Sequence, residues 1–179
     1  AHFHEWMCGA GILYLKKHAP DIGTVFTTHA TILGRAMSGS GVDIYSEMEH
    51  ISPQKSAASH NITAKFSMET ASAREADCFT TVSEITAIEA KNFLGRKPDV
   101  VLPNGLDLTH IPDLTADRQP ALDARKKLTE FAAKVLGRPV PPETRLLIIS
   151  GRYEFHNKGI DVFLEALGRL QQDMPPSTR

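Results

Sequence analysis

Segments with the composition of β-strands alternate with segments of helical periodicity along this chain, and this alternation restricts the fold more than any other feature. Such an order is typical of a parallel sheet covered by helices, so we predict an α/β fold. The predicted strands are Ala1–Glu5, Thr24–Thr28, Cys78–Ser83, Asp99–Leu102 and Leu146–Ile149. The predicted helices are Trp6–Lys17, Ala57–Ala76, Glu84–Leu94, Ala121–Leu136 and Gly159–Leu170. The glycine-rich stretch Gly34–Gly41 is predicted to be a flexible loop, suited to a lid.

A proline-containing stretch from Pro103 to Pro120, with little apolar periodicity, is predicted to hold a domain boundary, which we place near Gly105. The chain opens within a segment typical of a buried strand and stops in a polar tail after a single strand–helix unit. One strand and one helix cannot bury a second core. We therefore expect this sequence to be part of a larger protein.

Composition excludes several classes of function. The 20 Lys and Arg residues and 21 Asp and Glu residues give a net charge of −1, so there is no basic surplus for a nucleic acid or an anionic membrane. No apolar run approaches the roughly 20 residues that cross a bilayer, and the first residues do not resemble a signal peptide. We predict a cytoplasmic protein. Cys8 and Cys78 lack a CxxC partner, so we expect core residues rather than a disulfide or zinc site.

Most of the distinctive polar residues follow the predicted strands directly. Ligands of open parallel sheets bind beyond the carboxyl ends of the strands, so these residues are expected to share one rim. They occur at His4–Trp6, Thr28–His29, Val82–Ser83, Pro103–Gly105 and Gly151–Arg152. The rim is therefore the predicted ligand site.

The connection after the last predicted strand, residues 150–159, carries two cations between a strand and a helix. Gly151 permits close approach of the backbone, the helix N-terminus adds partial positive charge, and Arg152 with Lys158 suits a diphosphate. The alternative from the same spacing is that Arg152 pairs with Glu154 on the surface while Lys158 is solvated. The spacing alone does not decide between them.

Histidines and one carboxylate lie elsewhere on the predicted rim. His2 and His4 alternate along a strand and face the same side, but no third ligand follows at matching spacing, so we predict no metal site. His29 follows the second strand, where an imidazole suits a ligand hydroxyl, although a lone histidine is also a common structural residue. Glu5 is expected either to orient a ligand or to pair with Arg35.

Five motifs occur in order along the chain. They read AHFHEW at 1–6, TVFTTHATILGR at 24–35, FTTVSEITAIEA at 79–90, VLPNGLD at 101–107 and GRYEFHNKGIDVF at 151–163. Together they resemble glycogen synthase of the animal and fungal type, most weakly between residues 109 and 144. TTHATILGR and GRYEFHNKG separate this branch from bacterial and plant starch synthases.

The resemblance implies a GT-B glycosyltransferase that moves glucose from UDP-glucose to the nonreducing 4-hydroxyl of an α-1,4-glucan, with retention and without a cofactor or metal ion. It implies that Arg152 and Lys158 stabilise the departing UDP diphosphate, and that His29 lies against the donor glucose. These three are the expected catalytic residues. The expected substrate-binding residues are Glu5, Arg35, Asn104 and Gly151.

The resemblance also implies two Rossmann-like domains, both incomplete in this chain. Residues 1–105 would be the later part of the acceptor-side domain, and residues 106–179 the crossing and the first part of the nucleotide-sugar domain, with a hinge at Asn104–Gly105. Because the family's later carboxylates and base pocket are absent, we expect the chain alone to be inactive. Two alternatives stay open: another GT-B transferase with a different donor or acceptor, and a non-catalytic relative that binds glucan or nucleotide. A homo-oligomer of the full-length protein is compatible with the sequence.

Overall fold

A computed structural model describes residues 1–113 and 115–174, and its central feature is a parallel sheet of four strands. The strands are β1 (His2–His4), β2 (Val25–Thr28), β3 (Cys78–Thr81) and β4 (Val100–Val101), in the order β1-β2-β3-β4. Every neighbouring pair is parallel. The prediction of an α/β fold with a parallel sheet is confirmed, and each of these strands lies within its predicted segment.

Seven helices connect or follow these strands in the described part of the chain. They are α1 (Gly9–His18), α2 (Ile32–Gly39), α3 (Pro53–Ser59), α4 (Thr63–Glu75), α5 (Glu84–Glu89), α6 (Gln119–Leu136) and α7 (Ile160–Asp173). A 3₁₀ turn over Trp6–Cys8 precedes α1, so the predicted helix begins with a tighter turn than expected. A π-helical turn, Ala90–Leu94, continues α5 and ends at Gly95, whose φ of 73° favours glycine.

Aromatic residues of the sheet form the centre of the core. Phe26 of β2 pairs in register with Phe3 of β1 and Phe79 of β3. The rings of Phe26 and Phe79 are stacked with centroids 5.8 Å apart, and both side chains are fully buried. Burial of each ring contributes about 1.5–3 kcal/mol. Helices α1 and α4 pack against each other, and α1 also packs against β1.

The prediction of a flexible loop at Gly34–Gly41 is wrong, because most of this stretch is helix α2. The Thr31 side chain caps the helix by accepting a hydrogen bond from Gly34 N at 3.1 Å. Leu33 and Met37 are four residues apart and both are buried. Capping and burial of an apolar face therefore outweigh the glycine and serine content from which the loop was predicted.

The single helix predicted over Ala57–Ala76 is two helices, α3 and α4. The break falls between them at Asn61, whose φ of 61° is left-handed and cannot continue a helix. Asparagine is one of the few residues that tolerates this conformation. Because the residues on both sides of Asn61 have helical periodicity, the sequence pattern does not show where the helix is interrupted.

The strand predicted at Leu146–Ile149 is wrong, since this segment is irregular. Leu147 and Ile148 are 57% and 64% exposed, and no strand in the described chain pairs with them. A strand needs a hydrogen-bonded neighbour, so an apolar, β-branched composition alone does not form one.

The expectation that both cysteines are core residues is also wrong. Cys8 is exposed in the 3₁₀ turn before α1, and Cys78 is half-buried at the start of β3. Both cysteines have apolar neighbours in the sequence, but such neighbours occur in exposed turns and at strand ends as well as in the core.

The described chain divides into two compact units. One combines Ala1–Asn104 with the chain from Gly151, and the other is Gly105–Ser150. In the second unit, Arg125 on α6 donates from Nη2 to the carbonyls of Pro142 and Thr144 at 2.7 and 2.5 Å. The assignment of residues 106–179 to the beginning of a second Rossmann-like domain stays a prediction.

Candidate functional site

A pocket of about 310 Å³ lies in the first unit and takes side chains from the turn after β2 and from the loop before α7. Its volume is at the lower end of the range for small-molecule sites, which is about 300–1,000 Å³. His29, Arg35, Arg152 and Lys158 were predicted from the sequence, and all four line it. The remaining lining residues are Ala30, Gly34, Ser38, Ile44, Tyr45, Glu89, Glu154 and Asn157.

One side of the pocket is formed by residues 28–35, which run from the end of β2 into the first turn of α2 and which we call the β2–α2 turn. Behind it lies Glu69 of α4, which is fully buried. Its Oε1 accepts from the Thr28 hydroxyl at 2.7 Å and its Oε2 from Ile32 N at 2.9 Å. Burial raises the pKa of Glu69 to about 7. This carboxyl therefore fixes both ends of the segment that presents His29.

A second buried carboxylate, Glu89 of α5, faces the pocket itself. Its Oε2 accepts from the Thr31 hydroxyl at 2.5 Å and its Oε1 from the Tyr45 hydroxyl at 2.7 Å. Burial, followed by the bond to Glu89, raises the pKa of Tyr45 to about 12, so this phenol stays protonated as a donor. A Cβ at Gly34 would overlap the Glu89 carboxylate and lie 2.7 Å from Thr31 Oγ1. Only glycine therefore fits at position 34.

Glu5, the residue that follows β1, supports His29. Its Oε1 accepts from His29 N at 3.1 Å, and it forms no ion pair with Arg35 in the described structure. The Glu5 backbone has φ 65° and ψ 160°, a conformation that costs about 1–3 kcal/mol for a residue other than glycine. Of the two alternatives for Glu5, the structure does not show the pairing with Arg35, and a role toward a ligand stays a prediction.

The three histidines of the rim lie together. His4 Nδ1 is 3.0 Å from His29 Nε2, and the ring centroids of His2 and His4 are 4.2 Å apart. His2 and His4 therefore face the same side, as predicted. Burial, followed by the neighbouring His4, lowers the pKa of His2. Among residues 1–113 and 115–174, no group of three His, Cys, Asp or Glu side chains could hold a metal ion.

The other side of the pocket is the loop at residues 151–159, which we call the cation loop. Arg152 Nη2 pairs with Glu154 Oε1 at 2.9 Å, and the Arg152 side chain is 66% exposed. Lys158 forms no ion pair within the described residues. Arg152 and Lys158 thus line the same pocket. The sequence offered a surface ion pair and an anion site as alternatives for these residues, and in the structure Arg152 forms the ion pair and also lines the pocket.

Two other predicted residues lie outside the pocket lining. Gly151 lies behind Lys158, because a Cβ there would be 3.7 Å from Lys158 Cγ and Cδ. Asn104 is exposed and is the last residue of the segment Ala1–Asn104, where the first unit gives way to the second. Their assignment as substrate-binding residues stays a prediction.

Several residues of the site were missed by the sequence reasoning. Tyr45 and Glu89 line the pocket and hydrogen-bond to each other, and Asn157 donates from Nδ2 to Arg35 O at 3.3 Å. A glutamate within a helix normally indicates a solvated face, so no local signal marks Glu89 as buried. The π-helical turn that follows Glu89 is frequent at functional sites but is not visible in the sequence.

No helix within the described residues has both the length and the apolar character needed to span a bilayer.

Comparison with known proteins supplies the remaining observation about this chain. The family model described as glycogen synthase matches residues 1–177. The chain is 40% identical over 173 residues to the glycogen [starch] synthase of Neurospora crassa, covering 95% of this chain and 24% of that protein. It is 41% identical to the liver glycogen [starch] synthase of Mus musculus and 39% identical to the glycogen [starch] synthase of Caenorhabditis elegans, with 95% of this chain covered in both. The chain thus spans about a quarter of the length of these relatives, which is 24%, 25% and 26% respectively.

Proposed function

Because this chain belongs to the glycogen synthase family, we propose that the full-length protein transfers glucose from UDP-glucose to the nonreducing 4-hydroxyl of an α-1,4-glucan. In this proposal the chain contributes one part of a GT-B active site. The names of the relatives, glycogen [starch] synthase, support the class of reaction.

The observation that carries the proposal is the pocket, in which three cations and one histidine from two distant parts of the sequence come together. Arg35 and His29 come from the β2–α2 turn, and Arg152 and Lys158 from the cation loop. An excess of cations beside a histidine suits a ligand with both a diphosphate and a sugar. A nucleoside diphosphate sugar has this chemistry.

In the proposed reaction, the bond between the glucose C1 and the diphosphate breaks while a bond to the acceptor oxygen forms. Negative charge then grows on the departing phosphate, and cations already in place stabilise it more than they stabilise the bound donor. We assign this role to Arg152 and Lys158. His29 is assigned to the donor glucose, and Arg35, Glu5, Asn104 and Gly151 to binding the substrates.

The proposal includes three further statements about the full-length protein. It needs no metal ion or other cofactor, because the protein's own cations neutralise the diphosphate. It acts in the cytoplasm. Its partners are the nucleotide sugar and the glucan, with a homo-oligomer as the only macromolecular assembly proposed.

The test is transfer of labelled glucose from UDP-glucose to glycogen by the purified full-length protein, with EDTA present. We expect sustained incorporation into the polymer, and release of label by an enzyme that removes α-1,4-linked glucose from nonreducing ends. Unlabelled UDP-glucose should compete better than ADP-glucose or GDP-glucose.

Each alternative gives a different outcome. Preferential transfer from another nucleotide sugar would indicate a GT-B transferase with a different donor. UDP or glucan binding with no transfer from any donor would indicate a binding protein without catalysis. Either result contradicts the proposed function.

A further inference from the structure

His29 is the only one of the three rim histidines that lines the pocket. The His4 ring lies beside it, with centroids 5.3 Å apart, and His2 lies behind His4. His4 therefore touches a residue of the proposed site without lining that site. Its side chain acts on a ligand only through His29.

The bond between His4 Nδ1 and His29 Nε2 is 3.0 Å long. When two neutral imidazoles meet in this way, a single proton lies between the nitrogens, and one ring donates while the other accepts. The last side-chain torsion of histidine is broad and roughly two-fold, so an unpartnered ring has two comparable orientations. The bond to His4 selects one of them and leaves Nδ1 as the nitrogen of His29 available to a ligand.

His4 is itself held in place by its neighbours. The ring of His2 lies against it, tilted by 32°, and His2 Nε2 is 2.7 Å from Thr27 Oγ1. Thr27 Oγ1 is in turn 2.6 Å from Thr80 Oγ1, whose hydroxyl donates to Phe26 O at 3.3 Å. Both threonines are buried in the sheet, so this chain of bonds anchors the histidine row to the core.

Adjacent residues of the β1 end thus hold both parts of His29, since Glu5 accepts from its backbone N–H and His4 bonds its ring. We infer that His4 is a positioning residue, which sets the ring orientation of His29 toward the reacting sugar. The inference rests on the proposed function, because that function supplies the sugar toward which His29 is oriented. It predicts that loss of the bond lowers kcat rather than substrate affinity, because orientation matters most in the transition state.

The test uses two variants at His4 and one control variant of the full-length protein, assayed with UDP-glucose and glycogen, and His4→Leu is repeated in a His29→Ala background. His4→Leu removes the bond, His4→Asn keeps a hydrogen-bonding atom at the position of Nδ1, and His18→Leu is the control. His18 is an exposed histidine whose ring also lies against an aromatic ring, that of Tyr14, with the centroids 4.5 Å apart.

We expect His4→Leu to lower kcat about two- to tenfold, the effect of one net hydrogen bond, with KM for UDP-glucose unchanged. His4→Asn should restore most of the rate, and His18→Leu should have no effect. In a His29→Ala background, His4→Leu should cause no further loss. An unchanged kcat in His4→Leu, no rescue by His4→Asn, or additive losses would overturn the inference.

A second readout separates this inference from the proposed function. If the wild-type protein transfers no glucose, the proposed function fails, and the pair is examined by ¹⁵N NMR of protein labelled at histidine. The imidazole resonances of His29 should shift in His4→Leu and return in His4→Asn. No shift in His4→Leu would overturn the inference independently of activity.

Discussion

The two sides of the pocket are built in opposite ways. In the β2–α2 turn, Thr28 and Thr31 are fully buried, and each donates to a buried glutamate. In the cation loop, Arg152 is 66% exposed, and its ion pair is with Glu154 two residues away. One side is held by the core, and the other by local contacts.

This difference separates two physical tasks. Buried hydrogen bonds fix the β2–α2 turn before any ligand arrives, so its geometry depends on the stability of the core. Exposed cations contribute little to folding, because surface ion pairs are worth about 0–1 kcal/mol, yet they gain strength when a ligand excludes water. Substitutions in the turn should therefore affect stability, and those in the cation loop should affect function alone.

The largest effect is expected in the cation loop. Arg152→Ala and Lys158→Ala should each lower kcat of the full-length enzyme by up to about a thousandfold, since a preorganised donor to the transition-state charge is worth about 3–4 kcal/mol. Melting temperatures should stay within error. Steady-state kinetics and thermal melts measure the two quantities.

Matched controls exist outside the pocket. Arg74 is 70% exposed and pairs with the adjacent Glu75 at 2.8 Å, so Arg74→Ala removes an equivalent surface ion pair. Lys97→Ala removes an exposed lysine elsewhere in the same unit. Near-normal kcat in both loop variants, or a similar loss of kcat in the controls, would contradict this prediction. Arg152 and Lys158 would then be solvated surface charges without a role in transfer.

The next effect is expected in the β2–α2 turn. Gly34→Ala should destabilise the protein by about 2–3 kcal/mol, because the new methyl group displaces the Glu89 carboxylate from its bond to Thr31. Chemical denaturation measures it. Gly168 in α7 is a helical glycine with open space around it, so Gly168→Ala should instead stabilise by up to about 1 kcal/mol. Equal effects at both positions would contradict a packed turn.

A third prediction concerns the pH dependence of the same turn. Glu69 has a pKa of about 7 when folded against a reference value of 4.5, so between these values the unfolded chain releases a proton that the folded chain keeps. The contribution of Glu69 to the free energy of unfolding is fully present below pH 4.5. It falls by up to about 3 kcal/mol as the pH rises to 7.

Glu69→Gln cannot titrate, so the difference in stability between this variant and wild type should change across that pH range. The exposed Glu49→Gln serves as the control. Parallel stability curves for wild type and Glu69→Gln from pH 4 to 8 would show that folding does not shift the pKa of this carboxyl, and would contradict the prediction.

The smallest effect is expected where the two sides touch. Asn157 donates to Arg35 O over a long 3.3 Å, while its Oδ1 is buried and has no partner within the described residues. Asn157→Ala removes both a weak bond and an unpaired polar atom, so stability should change by less than about 0.5 kcal/mol. A loss above about 2 kcal/mol in a thermal melt would show that the cation loop is anchored to α2 after all.

The sequence predicted what local patterns determine. Alternating elements predicted the parallel sheet, and the rule on strand ends predicted His29 at the site. The same rule named Arg152 after a predicted strand that is in fact irregular, and Arg35 was expected as a substrate-binding residue from the resemblance, yet both line the pocket together with Lys158. The partners that hold these residues were not predictable. Glu69, for example, lies on a helix of little amphipathic character and meets Thr28 from 41 residues away.

The wrong predictions have the same origin. The Gly34–Gly41 stretch becomes helical because of tertiary burial and a cap, and Leu146–Ile149 stays irregular because no strand pairs with it. The composition of a segment shows which secondary structures it can form. Which of them it does form depends here on the elements that pack or pair with it in the fold.

The central claim, that Arg152 and Lys158 hold the diphosphate of the donor, is tested most directly by calorimetric binding of UDP and uridine to the full-length protein. Wild type should bind UDP far more tightly than uridine. The double variant Arg152→Ala, Lys158→Ala should lose about a hundredfold or more of that preference, as expected for two charge-assisted contacts, with uridine affinity unchanged. A double variant that keeps the full preference for UDP would contradict the account.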